Sequence, residues 1–195
     1  VYDIVFARML GSAPNKHDSI KMSVWNVLYS MDIINKHNIR FPSERVFMAE
    51  DIIWDSEYYK YSKKVKLINS TAYHYRITPN SLTQKYKKDM IYYTCKLYEE
   101  LLRRIGNSDE KKIRLQRQFF IYLRVCIKQE KYVNNLSGTK SLYQRVKNII
   151  QNQTVKDIVN EYPIKQLQLK QRIFVYCIKQ EYIILLLTCL RLNII

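Results

Sequence analysis

The sequence predicts an α/β fold class over its first part and an all-helical extension over its second, and three observations carry that reading. Strand-length apolar runs alternate with helical patterns up to about residue 83. Beyond Thr83 only long helical periodicities remain. The charge divides at the same place: residues 1–83 hold 11 Lys/Arg against 8 Asp/Glu, and residues 84–195 hold 22 against 9. Residues 1–83 are thus expected to form a mixed unit and residues 84–195 a basic helical extension.

Taken in order, residues 1–8 read as a strand, since Val1-Tyr2-Asp3-Ile4-Val5-Phe6 is rich in β-formers and unlike a signal peptide or a start region. Further sequence upstream is expected. Gly11, Ser12, Pro14 and Asn15 supply a loop, and Asp18 with Ser19 suits a helix cap. Val24, Trp25, Val27, Leu28, Met31 and Ile34 recur at helical spacing and predict an amphipathic helix over residues 23–36. Pro42 closes the extended stretch that follows, a second helix is expected from Asp51 to about Tyr61, and residues 65–68 and 71–77 read as two short strands. In the second part the periodicity predicts helices over about 86–105, 109–133, 140–152 and 165–192. Gly106 suits a helix C′ position, and Ser108 followed by Asp109 and Glu110 suits the next helix start. The string Cys-Ile-Lys-Gln-Glu occurs at 126–130 and 177–181, but its flanks do not align and no repeat is implied.

A hydrophobic fraction of 47%, with only 3 glycines and 4 prolines, belongs to a folded chain with little linker material. The 4 cysteines lie far apart without metal-ligand spacing, so reduced thiols on apolar helix faces and an intracellular compartment are expected. The most apolar stretch, 183–195, is broken by Thr188, Arg191 and Asn193, which argues against a transmembrane helix. The net charge of +16 suits a surface aimed at phosphates of nucleic acid, anionic lipid or a sugar diphosphate. The Lys-, Asn-, Ile- and Tyr-rich usage of an AT-rich genome gives the same basicity without a function.

Four of the 17 acidic residues fall within Glu50-Asp51-Ile52-Ile53-Trp54-Asp55-Ser56-Glu57. At a helix start, Asp51 has two readings: an ionised base facing a hydroxyl, or a first-turn cap.

A series of motifs gives that cluster a context. Trp25-Asn26-Val27-Leu28-Tyr29, Ile39-Arg40-Phe41-Pro42, Glu50-Asp51, Lys63-Lys64-Val65, Leu67-Ile68-Asn69, Tyr73-His74-Tyr75-Arg76 and Asn80-Ser81-Leu82-Thr83 appear in one order. The series resembles the C-terminal part of bacterial family 2 glycosyltransferases of capsule and exopolysaccharide synthesis, as does the basic, apolar helical tail. The pattern usually has Lys where Val27 stands here.

The resemblance implies a partial GT-A (Rossmann-like) half-domain, with an Asp-x-Asp motif that binds a nucleotide-sugar donor through Mn or Mg. No Asp-x-Asp occurs in the sequence, so the resemblance puts that motif upstream, and the isolated chain is expected neither to bind donor nor to transfer sugar. It makes Asp51 the general base for inverting transfer, with Glu50 orienting Asp51 or the acceptor. Arg76 either reaches the diphosphate or pairs with a surface acid. His74 is either a metal ligand or a packed histidine, Trp25 and Trp54 are either core or sugar-stacking residues, and Asn80 with Ser81 either touches substrate or caps a helix. The implied partners are the nucleotide-sugar and a saccharide or lipid-linked acceptor, at the cytoplasmic face of the membrane, and no specific nucleic acid.

The alternative class is a non-catalytic basic helical module that binds nucleic acid or anionic membrane through the tail, although no RNA- or DNA-binding motif is recognisable. In residues 165–195, Ile173, Phe174, Ile178 and Leu185 offer apolar surface and Lys165, Lys170, Arg172 and Lys179 offer charge, so this segment is either an interfacial helix or a helix packed on the protein.

Overall fold

In the computed structural model, which describes residues 2–10, 24–74, 85–106, 108–133, 142–192 and 194, the chain divides into two units. The first comprises Val1–Lys85 with Arg103–Ile105, and the second comprises Tyr86–Leu102 with Gly106–Ile195.

The first unit is built on a three-stranded sheet of order β2-β1-β3. The strands are β1 (Ile4–Leu10), β2 (Val27–Tyr29) and β3 (Val65–His74). β2 runs antiparallel to β1 with Ile4 opposite Tyr29 and Phe6 opposite Val27, whereas β3 runs parallel with Ile4 opposite Val65 and Leu10 opposite His74. A parallel pair needs a crossover, and this one contains α1 (Met31–Lys36) and α2 (Glu50–Tyr58). Strands and helices thus mix in this unit, while the described residues as a whole are mostly helical. The three strands among the described residues, one of them antiparallel, are fewer than a doubly wound sheet contains, so a Rossmann-like sheet does not follow from them.

Asp3 fastens β1 to the start of β3. Its Oδ2 accepts the Lys63 and Lys64 N–H groups at 2.7 and 2.9 Å. Those two hydrogen bonds hold the carboxyl below its usual range.

The helix expected over 23–36 is instead a 3-10 turn (Val24–Asn26), then β2, then α1. Pairing of Val27-Leu28-Tyr29 with β1 supplies backbone partners that override the helical spacing. α1 ends in a left-handed residue, Asn38 (φ 48°), with Ile39 N–H reaching the Ile34 carbonyl at 3.0 Å and Asn38 N–H reaching Asn35 at 3.3 Å. This closure turns Ile39 into the core, where it packs with Trp54 and Tyr58 against Val27, Tyr29 and Ile34. The Tyr58 hydroxyl donates to the Asp3 carbonyl (2.6 Å) and accepts from Ser30 N–H (2.9 Å), tying α2 to the sheet. The two strands expected over 65–77 are one strand, β3, as far as His74; the remainder, like the loop and cap expected at 11–19, lies outside the described residues.

The second unit is all-helical in its described residues: α3 (Met90–Ile105), α4 (Asp109–Gln129), α5 (Leu142–Ile150), α6 (Gln153–Glu161), α7 (Leu169–Lys179) and α8 (Ile183–Arg191). Gly106 closes α3 at φ 86°, a backbone conformation natural to glycine. Ser108 stands at the N-cap of α4 without a side-chain cap bond, and Asp109 and Glu110 occupy the first turn. α6 is a helix that the periodicity reading left out; the Asn152 side chain caps it by accepting from Val155 N–H at 3.4 Å.

The single helix expected over 165–192 is two helices. Glu181 takes φ 53°, and the Tyr182 N–H to Cys177 carbonyl bond (2.8 Å) with the Glu181 N–H to Ile178 carbonyl bond (3.0 Å) closes α7 as a Schellman turn. Phe174 and Ile178, counted above as interfacial surface, are each only 4% exposed and belong to the core of this unit; Leu185 is exposed. All four cysteines are free and buried. Burial pushes the Cys95 and Cys126 thiols up to about 11, so they stay protonated at neutral pH.

The repeated pentapeptide has two unlike endings. Glu130 is buried and accepts from Arg145 Nε at 2.9 Å and from the Tyr86 hydroxyl at 3.3 Å. Glu181 is exposed and left-handed.

Candidate active site

The acidic cluster forms α2, and the helix sorts its carboxylates by exposure. Residues four apart lie on one helical face, so Asp51 and Asp55 share a face while one is half-buried and the other fully buried. Ala49 is the N-cap, and neither Glu50 nor Asp51 takes that position. Both acids stand in the first turn, where the helix dipole favours negative charge.

Asp51 Oδ1 accepts the Ile52 N–H at 2.9 Å. Burial nevertheless raises its carboxyl above the usual value, against that hydrogen bond and with a further push from the Glu50 charge. A half-buried carboxylate with a raised pKa is a stronger base than an ordinary aspartate and still reaches solvent.

Asp55 is the residue that sequence reasoning passed over. It is 0% exposed, and burial pushes its carboxyl up to about 6, against the Tyr29 hydrogen bond and with a further push from the Asp51 charge. The Tyr29 hydroxyl donates to Asp55 Oδ1 at 2.6 Å, while Asp55 Oδ2 is buried with no hydrogen-bond partner among the described residues. Burial and the neighbouring carboxylate keep Tyr29 protonated, so it remains a donor. The partner lies 26 residues away on β2, a strand the sequence reading had made helical. The visible signal was the four-residue spacing of Asp51 and Asp55.

The sign of the resulting pH dependence follows from the raised value. The folded pKa of about 6 exceeds the ordinary aspartate value of 3.8, so this group's contribution is present below about pH 4 and lost as pH rises through 6. Asp55→Asn keeps an oxygen for Tyr29 and removes the buried charge. It is expected to match the wild type near pH 4 and to exceed it by on the order of 2 kcal/mol at pH 7. Both tryptophans, Trp25 and Trp54, lie in the first unit, so urea unfolding followed by their fluorescence from pH 4 to 8 reads this unit directly. Parallel stability curves for the two proteins would contradict the assignment.

Trp54 is a core residue, which corrects its reading as a substrate contact. It is 4% exposed and stacks on Phe41 at 4.9 Å and Tyr58 at 5.3 Å, with Tyr29 edge-on at 4.6 Å. Among the described residues of this unit the exposed aromatics are Phe41, Tyr2 and Trp25, at 53%, 48% and 44%. His74 ends β3, and its side chain lies outside the described residues, as do Arg76, Asn80 and Ser81 altogether. The structure therefore brings together Asp51, Glu50 and the unforeseen Asp55 with Tyr29.

Among the described residues no group of three His, Cys, Asp or Glu is placed to hold a metal. No helix of the described residues is long and apolar enough to cross a membrane.

Comparison with known proteins gives one finding on kinship. The chain is 25% identical over 129 residues to the "Putative glycosyltransferase EpsH" of Bacillus subtilis (strain 168), a match covering 64% of this chain and 37% of that protein. The chain thus spans well under half the length of the curated relative it matches. No family model matches the sequence. No solved structure matches it either. A distant relation to a glycosyltransferase is what these comparisons support.

Proposed function

We propose that this chain is the acceptor-side part of an inverting, family 2-like glycosyltransferase of GT-A fold, acting in cell-surface polysaccharide synthesis, with Asp51 as general base. The observation that carries the reading is the half-buried Asp51 carboxylate, raised in pKa at the start of α2. The motif series and the distant glycosyltransferase relative support the reaction class.

In this reading Asp51 takes the proton of an acceptor hydroxyl. The hydroxyl oxygen forms a bond to the anomeric carbon of the donor as the bond from that carbon to the nucleotide diphosphate breaks. The diphosphate leaves with the electron pair, and the anomeric configuration inverts. Burial keeps the Asp51 pKa high, the Glu50 charge adds to it, and Glu50 orients the acceptor. Asp55, fully buried and bonded to Tyr29, holds the face of α2 and does not touch substrate. Donor and divalent metal, Mn or Mg, are held by residues outside this chain. The acceptor is a saccharide, free or lipid-linked. The protein works at the cytoplasmic membrane face, held peripherally.

The test is sugar transfer by a longer protein that joins this chain to a segment containing Asp-x-Asp, with the anomeric configuration of the product as readout.

A further inference from the structure

The second unit holds a groove that the proposed transfer does not use. One wall is a single face of α4, because Arg117, Phe120, Ile121 and Arg124 recur at intervals of three and four residues. The other wall is α7 with the turn before it, contributing Lys170 and Phe174. The groove holds about 80 Å³, room for a head group, so a chain attached to that group lies along the open surface.

Its chemistry has two halves. Phe120 and Phe174 are buried and form an apolar floor, and Ile121, 60% exposed, continues that surface to the rim. The polar residues are Arg117, Arg124, Lys170 and a glutamine, with no acid among the lining residues. Arg117 spends its guanidinium on neutral acceptors, donating from Nε to the Tyr162 hydroxyl at 2.7 Å and from Nη2 to Gln166 at 3.5 Å. Its charge is not neutralised by those contacts. The Arg124 Nε–H is buried with no acceptor among the described residues, and an unmet buried donor on a cation is costly. One turn further along α4, burial and then the charges of Arg124 and Lys131 hold the Lys128 ammonium below its usual value. Positive charge therefore accumulates along this face without a counter-charge.

We propose that this groove binds a single anionic lipid, its phosphate between Arg124 and Lys170 and its apolar chain along Ile121 and Phe174. The phosphate supplies a counter-charge to Arg124 and Lys170, and the chain covers the exposed Ile121. A free phosphate fills only the first half of the groove. The proposal rests on the second unit alone and stands or falls independently of the transfer reaction.

The experiment is calorimetry on the full chain with dihexanoyl phosphatidic acid below its micelle concentration, dihexanoyl phosphatidylcholine and inorganic phosphate. Phosphatidic acid is expected to bind at least about tenfold tighter than the other two, a margin matching one charge-assisted contact. Arg124→Gln and Lys170→Gln are each expected to weaken it by about tenfold, while Lys179→Gln, at the end of α7 away from the groove, leaves it unchanged. Lys170 is exposed, so its substitution keeps the test valid should Arg124→Gln unfold. Phosphate binding as tightly as phosphatidic acid would overturn the lipid. Equal binding of phosphatidylcholine would overturn anion recognition, and no binding, or binding indifferent to Lys170→Gln, would overturn the site.

Discussion

Asp51→Asn is expected to lower sugar transfer by at least about 10²-fold in a longer protein that includes a donor-binding segment, with donor affinity unchanged and melting temperature not lowered. The amide keeps the shape of the carboxylate and loses the proton acceptor. It also keeps an oxygen for the Ile52 N–H, so α2 has no reason to fray. The N-cap position belongs to Ala49, and Asp51 is therefore not a cap whose loss would masquerade as a catalytic defect. Glu50→Gln is expected to cost less, because it removes a neighbouring charge and leaves the base in place. Turnover and thermal melts on both variants check this. Near-normal turnover of Asp51→Asn would remove the base assignment.

Glu130→Ala is expected to destabilise the second unit by about 3–5 kcal/mol, the usual cost of breaking a buried ion pair from one side. The Glu130 and Arg145 side chains are 7% and 19% exposed, and the carboxylate lies 2.9 Å from Arg145 Nε. Arg145 also donates to the Glu130 carbonyl at 2.9 Å, which crosses from the end of α4 to α5. Glu130→Gln keeps an acceptor for Tyr86 and is expected to cost less than the alanine. Denaturant midpoints followed by far-ultraviolet circular dichroism separate the two variants, since the second unit supplies most of the helix. A loss below about 1 kcal/mol, the range of an exposed pair, would contradict the burial argument.

Legibility of the fold followed the range of the forces involved. α2, α3 and α4 could be read because their acids, caps and apolar spacing are local. β2 could not: Val24, Val27, Leu28 and Met31 fit a helix, and only pairing with β1, more than 20 residues upstream, makes Val27–Tyr29 a strand. The break between α7 and α8 was invisible because Glu181, with no glycine, proline or asparagine to announce it, adopts the left-handed turn. α6 was legible in principle, since Asn152 and the spacing of Val155, Ile158 and Val159 are local signals.

The same distinction runs through the site. Asp51 and Glu50 were found from a cluster that any reader of the sequence sees. Asp55 in that same cluster was set aside because its burial and its bond to Tyr29 depend on how β2 docks. Trp54 is open between core and sugar-stacking in the sequence, and its enclosure by Phe41 and Tyr58 decides for the core, an arrangement that no spacing along the chain encodes.

The account is tested most directly by nuclear magnetic resonance of the product formed from an α-linked nucleotide-sugar by the longer protein, read at the anomeric proton. The account predicts transfer to a saccharide acceptor with a β-linked product, and loss of that product in Asp51→Asn. An α-linked product, or no transfer alongside tight and steeply salt-sensitive binding of random oligonucleotides, would contradict it.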